Sequence, residues 1–298
     1  MNKKQIDIKQ LIEFWKNPIL FFFKKILKIK IPYLIKKNNY NYFHIEKNKI
    51  YFMKYQLLNA LIYLQNTCVL YKQFTQLGIL PHGNFGMYIW DKINDEIYNL
   101  SERIQTMRKI PKQQKISINI NEYQLYNFQL NEIHPLGLIR WKPHKINFQD
   151  KISLWIEHLI YCYFEKSGHS YLFGTRNSRF TLSNMSKERA IYYLNMYIIG
   201  YEQGIRHPLM LTQSGITWIN YTYTQKHNNV IRHNNNDIKQ KYFYNIWNGN
   251  ILISGEKNNI FIKKIIPKIN NKTFNNLCKI AKIWLTPILN YSKSYKKK

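Results

Sequence analysis

The sequence predicts a mixed α/β fold in which a helical N-terminal part is followed by a core with a mixed sheet. Apolar side chains recur every three or four residues through the first third of the chain, which is typical of amphipathic helices. The period then changes, and Ile116, Ile118 and Ile120 alternate with polar residues as in a half-buried strand. These patterns predict a helical part (residues 1–110), an α/β core (residues 111–291) and a Lys-rich tail (residues 292–298).

The helical part opens with a basic helix predicted over residues 5–29, which Pro18 kinks or restarts. Its Lys-rich and Phe-rich faces suit packing on the protein or a partner, which we favour, or a membrane surface. Residues 36–50 are rich in Asn and Lys, and this composition predicts a loop. Two further helices are predicted, over residues 55–77 and around residues 90–107. Their core candidates are Leu57, Leu58, Leu61, Leu64, Trp90, Ile93, Ile97, Leu100, Ile104 and Met107.

The core continues the sheet through residues 123–130 and 136–141. Asp150 is expected to cap a helix that runs to about Phe164, and Ser186 to cap another that ends near Gly204. The remaining predicted elements are a strand pair (residues 171–174 and 179–182), a return to the sheet (208–219), a mobile loop (225–240) and a last helix (273–286).

The formal net charge of +29 predicts a polyanionic partner, either nucleic acid or an acidic membrane surface. An alternative is codon drift, because the 37 Lys far outnumber the 8 Arg and the chain is rich in Ile, Asn, Lys and Tyr, the residues of A/T-rich codons. The arginines are therefore more informative than the lysines. Four of them lie in or near the middle third of the chain: Arg140, Arg176, Arg179 and Arg206.

Cysteine usage and hydropathy predict a soluble, cytoplasmic protein. Cys68, Cys162 and Cys278 lie far apart and offer neither a disulfide framework nor paired metal-ligand spacing. No secretory signal is present, and the apolar run at residues 18–23 is far shorter than the roughly 20 residues that span a bilayer.

Motifs for catalysis are missing from the sequence. There is no phosphate-binding loop followed by Lys, and we interpret His82-Gly-Asn-Phe-Gly86 as a structural turn. His158 has no second His at helical spacing, so we interpret it as a helix-face residue. A metal-dependent nuclease needs a strand acid beside an Asp/Glu-x-Lys strand, but only Asp7-Ile-Lys9 and Asp237-Ile-Lys239 match, and neither lies in a predicted core strand. We therefore expect no catalytic residue, no metal and no cofactor.

Candidate DNA contacts are Arg140, Trp141, Lys142, Arg176 and Arg179. Arginine grips phosphate with two hydrogen bonds, and tryptophan stacks on an unpaired base. Trp141 also fits the protein core, and this interpretation is favoured for that side chain. The arginines fit phosphate binding and a solvent-exposed structural role equally well.

Several segments in order resemble the C-terminal region of the RecC family, the gamma subunit of exodeoxyribonuclease V. Each is weak alone, but the series covers almost the whole chain. The segments are Phe14-Trp-Lys-Asn-Pro18, Tyr55-Gln-Leu-Leu-Asn-Ala60, Leu80-Pro-His-Gly-Asn-Phe-Gly86, Gly137-Leu-Ile-Arg-Trp-Lys-Pro143, Leu154-Trp-Ile-Glu-His-Leu-Ile-Tyr-Cys162, Ala190-Ile-Tyr-Tyr-Leu194, Gly200-Tyr-Glu-Gln-Gly204, Pro208-Leu-Met-Leu211, Tyr244-Asn-Ile-Trp-Asn-Gly249 and Trp284-Leu-Thr-Pro287.

The resemblance implies a core like an inactive PD-(D/E)XK restriction-endonuclease-like nuclease domain. It also implies a non-catalytic subunit that holds a RecB-like helicase–nuclease and a RecD-like helicase and guides the separated DNA strands. The helicase-like domains associated with hotspot scanning precede this region in the family, so that role is not carried over. The alternatives are a freestanding basic DNA-binding module and a decayed product without function.

Overall fold

The computed structural model describes residues 3–30, 45–164, 168–227, 236–251 and 253–293. The described residues form strands, α-helices and two shorter helical turns. The strands are β1 (Lys4–Asp7), β2 (Lys112–Ile120), β3 (Tyr123–His134), β4 (Gly137–Trp141), β5 (His169–Phe173), β6 (Arg179–Leu182) and β7 (Ser292–Lys293). The helices are α1 (Ile8–Lys16), α2 (Pro18–Phe21), α3 (Lys47–Ile62), α4 (Cys68–Gln76), α5 (Gly83–Gln105), α6 (Phe148–Tyr163), α7 (Lys187–Arg206), α8 (Gln213–His227), α9 (Asn236–Asn248), α10 (Ile260–Ile265) and α11 (Asn271–Tyr291). A π-helical turn spans Phe22–Ile26 and a 3-10 turn spans Glu256–Asn258.

Two compact units are formed by the described residues within Met1–Lys30, Ser117–Asn127 and Glu188–Ser292 (the first unit) and within Ile31–Ile116, Phe128–Lys187 and Lys293–Lys298 (the second unit). The domain boundaries that the sequence predicts, after residues 110 and 291, stay a prediction. None of the helices in the described ranges is both long enough and apolar enough to cross a membrane.

The first unit is mainly helical and is held around α1, α7 and α11. Trp15 of α1 donates from Nε1 to the carbonyl of Tyr197, and the Tyr197 hydroxyl donates to the carbonyl of Trp284 at 2.5 Å. These helices approach closely because α7 carries glycine at the contact. A Cβ on Gly200 would lie 2.4 Å from the Trp284 ring, and one on Gly204 would lie 2.2 Å from the Phe14 ring. The segment Gly200-Tyr-Glu-Gln-Gly204 is therefore a packing notch.

The second unit contains the end of β3 together with β4, β5 and β6, which belong to a mixed sheet. The end of β3 pairs antiparallel with β4, β4 pairs parallel with β5, and β5 pairs antiparallel with β6. The parallel pair requires a crossover, which α6 supplies. At the start of β4, Gly137 has φ +131° and a Cβ there would lie 1.8 Å from the His169 carbonyl oxygen, so only glycine fits.

The core of the second unit joins the sheet to α3, α4 and α5. Its buried members are Met53, Leu57, Leu58, Ile62, Phe74, Leu80, Ile93, Ile97, Leu100, Ile104, Ile139, Tyr171 and Phe173. Most of the candidates predicted for this core are thus confirmed, with Leu61, Trp90 and Met107 packing at its edge. Leu64 is the exception, because its side chain is 86% exposed.

The mixed α/β class and most element types are confirmed. β2, β3 and β4 form where alternating patterns predict strands, and β5 and β6 form the predicted pair. Ile116, Ile118 and Ile120 are all buried. The helices α6, α7 and α11 also form where they are predicted.

Several local predictions are wrong. Residues 5–29 form β1, α1, α2 and a π-helical turn, because Asp7 caps α1 and Asn17 caps a restart at Pro18. The predicted loop at 36–50 is helical from Lys47, and its first nine residues lie outside the described ranges. The predicted helix at 55–77 is split at Leu64, whose φ of +54° ends α3. The N-cap of α6 is Asn147, with Asp150 completing the capping box. His82-Gly-Asn-Phe-Gly86 largely forms the first turn of α5.

Residues 208–219 and 225–240 are also predicted wrongly, since α8 covers residues 213–227 and α9 begins at residue 236. The N-terminal amides of α8 are hydrogen-bonded by a residue far away in the sequence. The Glu256 carboxylate accepts from Gln213 N at 2.7 Å and from Ser214 N at 2.9 Å. Residues 228–235 of the predicted loop and 294–298 of the predicted tail lie outside the described residues.

Candidate nucleic-acid interface

An open groove of about 360 Å³ lies in the second unit between α3 and the strands β3 and β4. We call it the aromatic groove, because five of its lining side chains are aromatic: Tyr51, Tyr55, Tyr63, Phe128 and Trp141. Tyr51, Tyr55 and Tyr63 are between 44% and 51% exposed. The rings of Tyr51 and Tyr55 are stacked at 6.4 Å with planes 15° apart. The groove thus presents partly exposed tyrosine side chains.

The tyrosines come from α3 and from the residue that follows it. Tyr51 and Tyr55 are four residues apart and lie on one side of the helix, and Tyr63 is its C-cap residue. Burial, together with the charge of Asp150, raises the pKa of Tyr51 above its ordinary value. Burial, together with the charge of Glu132, likewise raises the pKa of Tyr63. Both hydroxyls therefore stay protonated at neutral pH and can donate hydrogen bonds.

Arg140 of β4 is occupied by contacts within the second unit. Its Nε donates to Glu157 of α6 at 2.5 Å, and its Nη1 donates to the carbonyls of Asn131 at 2.6 Å and Ile139 at 2.9 Å. The side chain is only 21% exposed. A phosphate would have to compete with three acceptors already in place, so this arginine mainly ties α6 to the sheet.

Trp141 and Lys142 follow Arg140 in the groove wall. Trp141 is partly buried and packs against the core of the second unit, as the favoured interpretation of the sequence expects. Lys142 keeps 35% of its side chain exposed, and its Nζ lies 4.0 Å from the Asp150 carboxylate. Lys142 is therefore the more available cation of this pair of neighbours.

Arg176 and Arg179 do not line the aromatic groove. Arg176 is exposed at the turn between β5 and β6, where it and Asn177 both have φ of +54°. Arg176 lines a separate surface depression of about 550 Å³. Glu96 and Glu102 also line this depression, so its charge is mixed. Arg179 lies over the rings of Tyr171 at 5.1 Å and Phe173 at 5.3 Å. The five predicted DNA contacts therefore form one cluster of three and two separate arginines.

Glu132, which lines the aromatic groove, is engaged in structural contacts. Glu132 accepts from Arg108 Nε at 2.8 Å and Nη2 at 3.1 Å, and its Oε2 lies 3.0 Å from His134 Nε2. Burial acts to raise the pKa of Glu132, but hydrogen bonds from Arg108 and His134 outweigh it and hold that pKa below its ordinary value. Within the described ranges, no three His, Cys, Asp or Glu side chains are grouped so that they could hold a metal ion.

His158 lies in the core rather than at a site. Its ring is fully buried, with Nδ1 2.8 Å from Ser170 Oγ and Nε2 3.0 Å from the Ser183 carbonyl. Burial lowers the pKa of His158 to about 3. The ring is therefore neutral, donating from Nε2 to Ser183 and accepting at Nδ1 from Ser170.

The α3 tyrosines were not predicted as site residues. The signal for them was present as aromatic residues four apart on a helix whose opposite side is apolar. This spacing alone does not predict a site, because the exposure of the tyrosine side of α3 depends on how the helix packs against the sheet.

The family of the chain follows from comparison with known proteins. A family model described as the RecC C-terminal domain matches residues 3–223. The chain belongs to the RecC C-terminal domain family, and the resemblance in the sequence segments is confirmed.

Relatives over the whole chain are named RecBCD enzyme subunit RecC. The protein from Buchnera aphidicola subsp. Baizongia pistaciae is 38% identical over 98% of this chain and 27% of its own length. The one from Buchnera aphidicola subsp. Schizaphis graminum is 38% identical over 97% of this chain and 27% of its own length. The one from Escherichia coli K12 is 26% identical over 97% of this chain and 26% of its own length. The chain thus spans about a quarter of these relatives.

Proposed function

We propose that the chain is a non-catalytic, DNA-contacting part of an exodeoxyribonuclease V-type helicase–nuclease complex in double-strand-break repair and recombination. In this role it holds a RecB-like helicase–nuclease and a RecD-like helicase and guides the separated strands. The observation that carries the proposal is the match of the RecC C-terminal domain to residues 3–223, together with RecC relatives aligned over nearly the full chain.

An inactive nuclease-type core belongs to this proposal. In support, three consecutive strands, β2 to β4, are followed by α6 and by β5 parallel to β4. The carboxylates near this sheet face cations of the protein: Glu157 faces Arg140 and Glu132 faces Arg108. We expect the pure chain with Mg²⁺ to leave linear DNA intact, and degradation of that DNA would contradict the non-catalytic role.

Within this function, the aromatic groove is proposed to hold unpaired bases of a single strand. Its arginine is neutralised by Glu157, whereas its tyrosine side chains are partly exposed, so stacking rather than charge supplies the binding. In this proposal Lys142, which keeps 35% of its side chain exposed, contacts a phosphate next to a stacked base.

The test is fluorescence anisotropy of the full chain with a short labelled single strand. Tyr55→Ala is expected to weaken binding by about 1 to 3 kcal/mol, the range for one stacked base, without changing the salt dependence. Tyr98→Ala is the matched control, because Tyr98 is 51% exposed on α5 and does not line the groove. Equal losses in the two variants would remove the groove from the proposal.

A freestanding DNA-binding module is the second candidate, favoured by the net charge of +29. It predicts DNA affinity that is the same with and without RecB-like and RecD-like chains.

A further inference from the structure

A second concave surface lies in the first unit and differs in chemistry from the aromatic groove. It is a cavity of about 730 Å³ between the end of α10 and the first half of α11, with Met210 on another side. Its volume lies in the range of roughly 300 to 1,000 Å³ that is usual for ligand pockets. We call it the lysine cavity.

Three lysines line this cavity, and no acidic residue is among the described residues that line it. Lys268 precedes α11, Lys272 is in its first turn, and Lys279 is two turns further along the same helix. All three are exposed, and within the described residues none is paired with a carboxylate. A cleft lined by charges of a single sign concentrates the field and attracts anions.

Neutral donors accompany the lysines. The side chains of Asn275 and Asn276, with amide groups that can donate to oxygen, also line the cavity. The start of α11 adds partial positive charge, although the Asn270 side chain already accepts from Thr273 N at 2.8 Å. Ligand binding therefore depends on the lysine and asparagine side chains rather than on the helix end.

We propose that the lysine cavity binds phosphate groups, with the backbone of a nucleic-acid strand as its ligand. Three ammonium groups without a carboxylate neighbour suit successive phosphates, and the asparagine amides suit their remaining oxygens. The apolar wall that includes Met210 and Ile266 suits the sugar and base edges between them. This site lies in a different compact unit from the aromatic groove, and its binding does not depend on the complex proposed above.

The test compares two triple variants of the full chain that remove equal charge from the same stretch of sequence, residues 263–282. The cavity variant is Lys268→Gln/Lys272→Gln/Lys279→Gln. The matched control is Lys263→Gln/Lys264→Gln/Lys282→Gln, three exposed lysines that do not line the cavity. The measurement is the affinity for a labelled oligonucleotide over a series of salt concentrations.

The cavity variant is expected to lose about tenfold more affinity than the control. It should also lower the slope of log affinity against log salt by about 2, since each lost phosphate contact to a single strand accounts for about 0.7. Tyr55→Ala should leave this slope unchanged, which separates failure of the groove from failure of the cavity. Equal losses in the two triple variants would overturn the proposal.

Two further probes distinguish the source of the phosphate. Inorganic tripolyphosphate that raises the Tm of the wild type and the control, but not of the cavity variant, would support phosphate binding at this site. If it does so while the oligonucleotide affinities of the two triple variants agree, the ligand is a free polyphosphate and the nucleic-acid assignment is wrong. Poly-glutamate that binds as tightly as the oligonucleotide, with the same loss in the cavity variant, would show a site for any polyanion and contradict the assignment to phosphate.

Discussion

Individual residues of the candidate site show what local sequence can and cannot reveal. The partly buried position of Trp141 follows from an apolar residue at the end of a predicted strand, and the sequence predicts it. The role of Arg140 does not follow, because its acceptors on Glu157 and Asn131 lie 17 and 9 residues away in the chain. A basic–aromatic triplet therefore indicates a cluster, but the partners of each charge are set by the packing of α6 on the sheet.

The Glu132–Arg108 pair gives a prediction at this scale. Glu132→Gln leaves a largely buried guanidinium without its charged partner, so the free energy of unfolding at neutral pH should fall by about 3 kcal/mol in urea denaturation. Glu122→Gln, on an exposed side chain, is the control and should stay within about 0.5 kcal/mol of the wild type.

The pH dependence of the same pair has a definite sign. The pKa of Glu132 is lowered in the folded chain, so its stabilising effect is present above the ordinary carboxyl pKa and is lost as the pH falls through the lowered value. The difference between wild type and Glu132→Gln should shrink over that acidic range. A difference that stays constant down to low pH would contradict a charged, paired Glu132.

Elements with strong periodicity are predictable here, whereas elements that depend on distant partners are not. β2 and α6 form where alternation and three-to-four spacing predict them. The range 208–219 carries an apolar run that suits a strand or a helix. Its helix is fixed by Thr212, whose Oγ1 accepts from Gly215 N, and by the Glu256 carboxylate about 40 residues away. Of these two contacts, only the one made by Thr212 can be read from the local sequence.

At the scale of elements, the packing notch Gly200-Tyr-Glu-Gln-Gly204 of α7 gives a testable prediction. Alanine is intrinsically the better helix former, but a Cβ at Gly200 would overlap the rings of Trp284 and Trp15, at 2.4 and 2.8 Å. Gly200→Ala should therefore destabilise the chain by about 1 to 3 kcal/mol through overpacking, as measured by urea denaturation. Gln203→Ala, on the exposed side of the same helix, should leave stability unchanged or slightly raised. A stabilised Gly200→Ala would contradict this packing.

At the scale of the whole molecule, the question is which surfaces carry the net charge of +29. Codon drift distributes lysine without regard to surface, and the charge alone does not separate drift from function. In the aromatic groove the charge of Arg140 is paired with that of Glu157, whereas the described lining of the lysine cavity has three cations and no acid. Salt dependence is therefore expected to arise from the cavity and base stacking from the groove.

Co-purification of the tagged full chain with RecB-like and RecD-like chains is the measurement that tests the central claim most directly. The three chains are co-expressed and separated by size-exclusion chromatography with light scattering, with and without a DNA end. The proposed role predicts a single species that contains all three. Elution of this chain alone, with a DNA affinity that the other two chains do not change, would contradict the subunit role and favour the freestanding module.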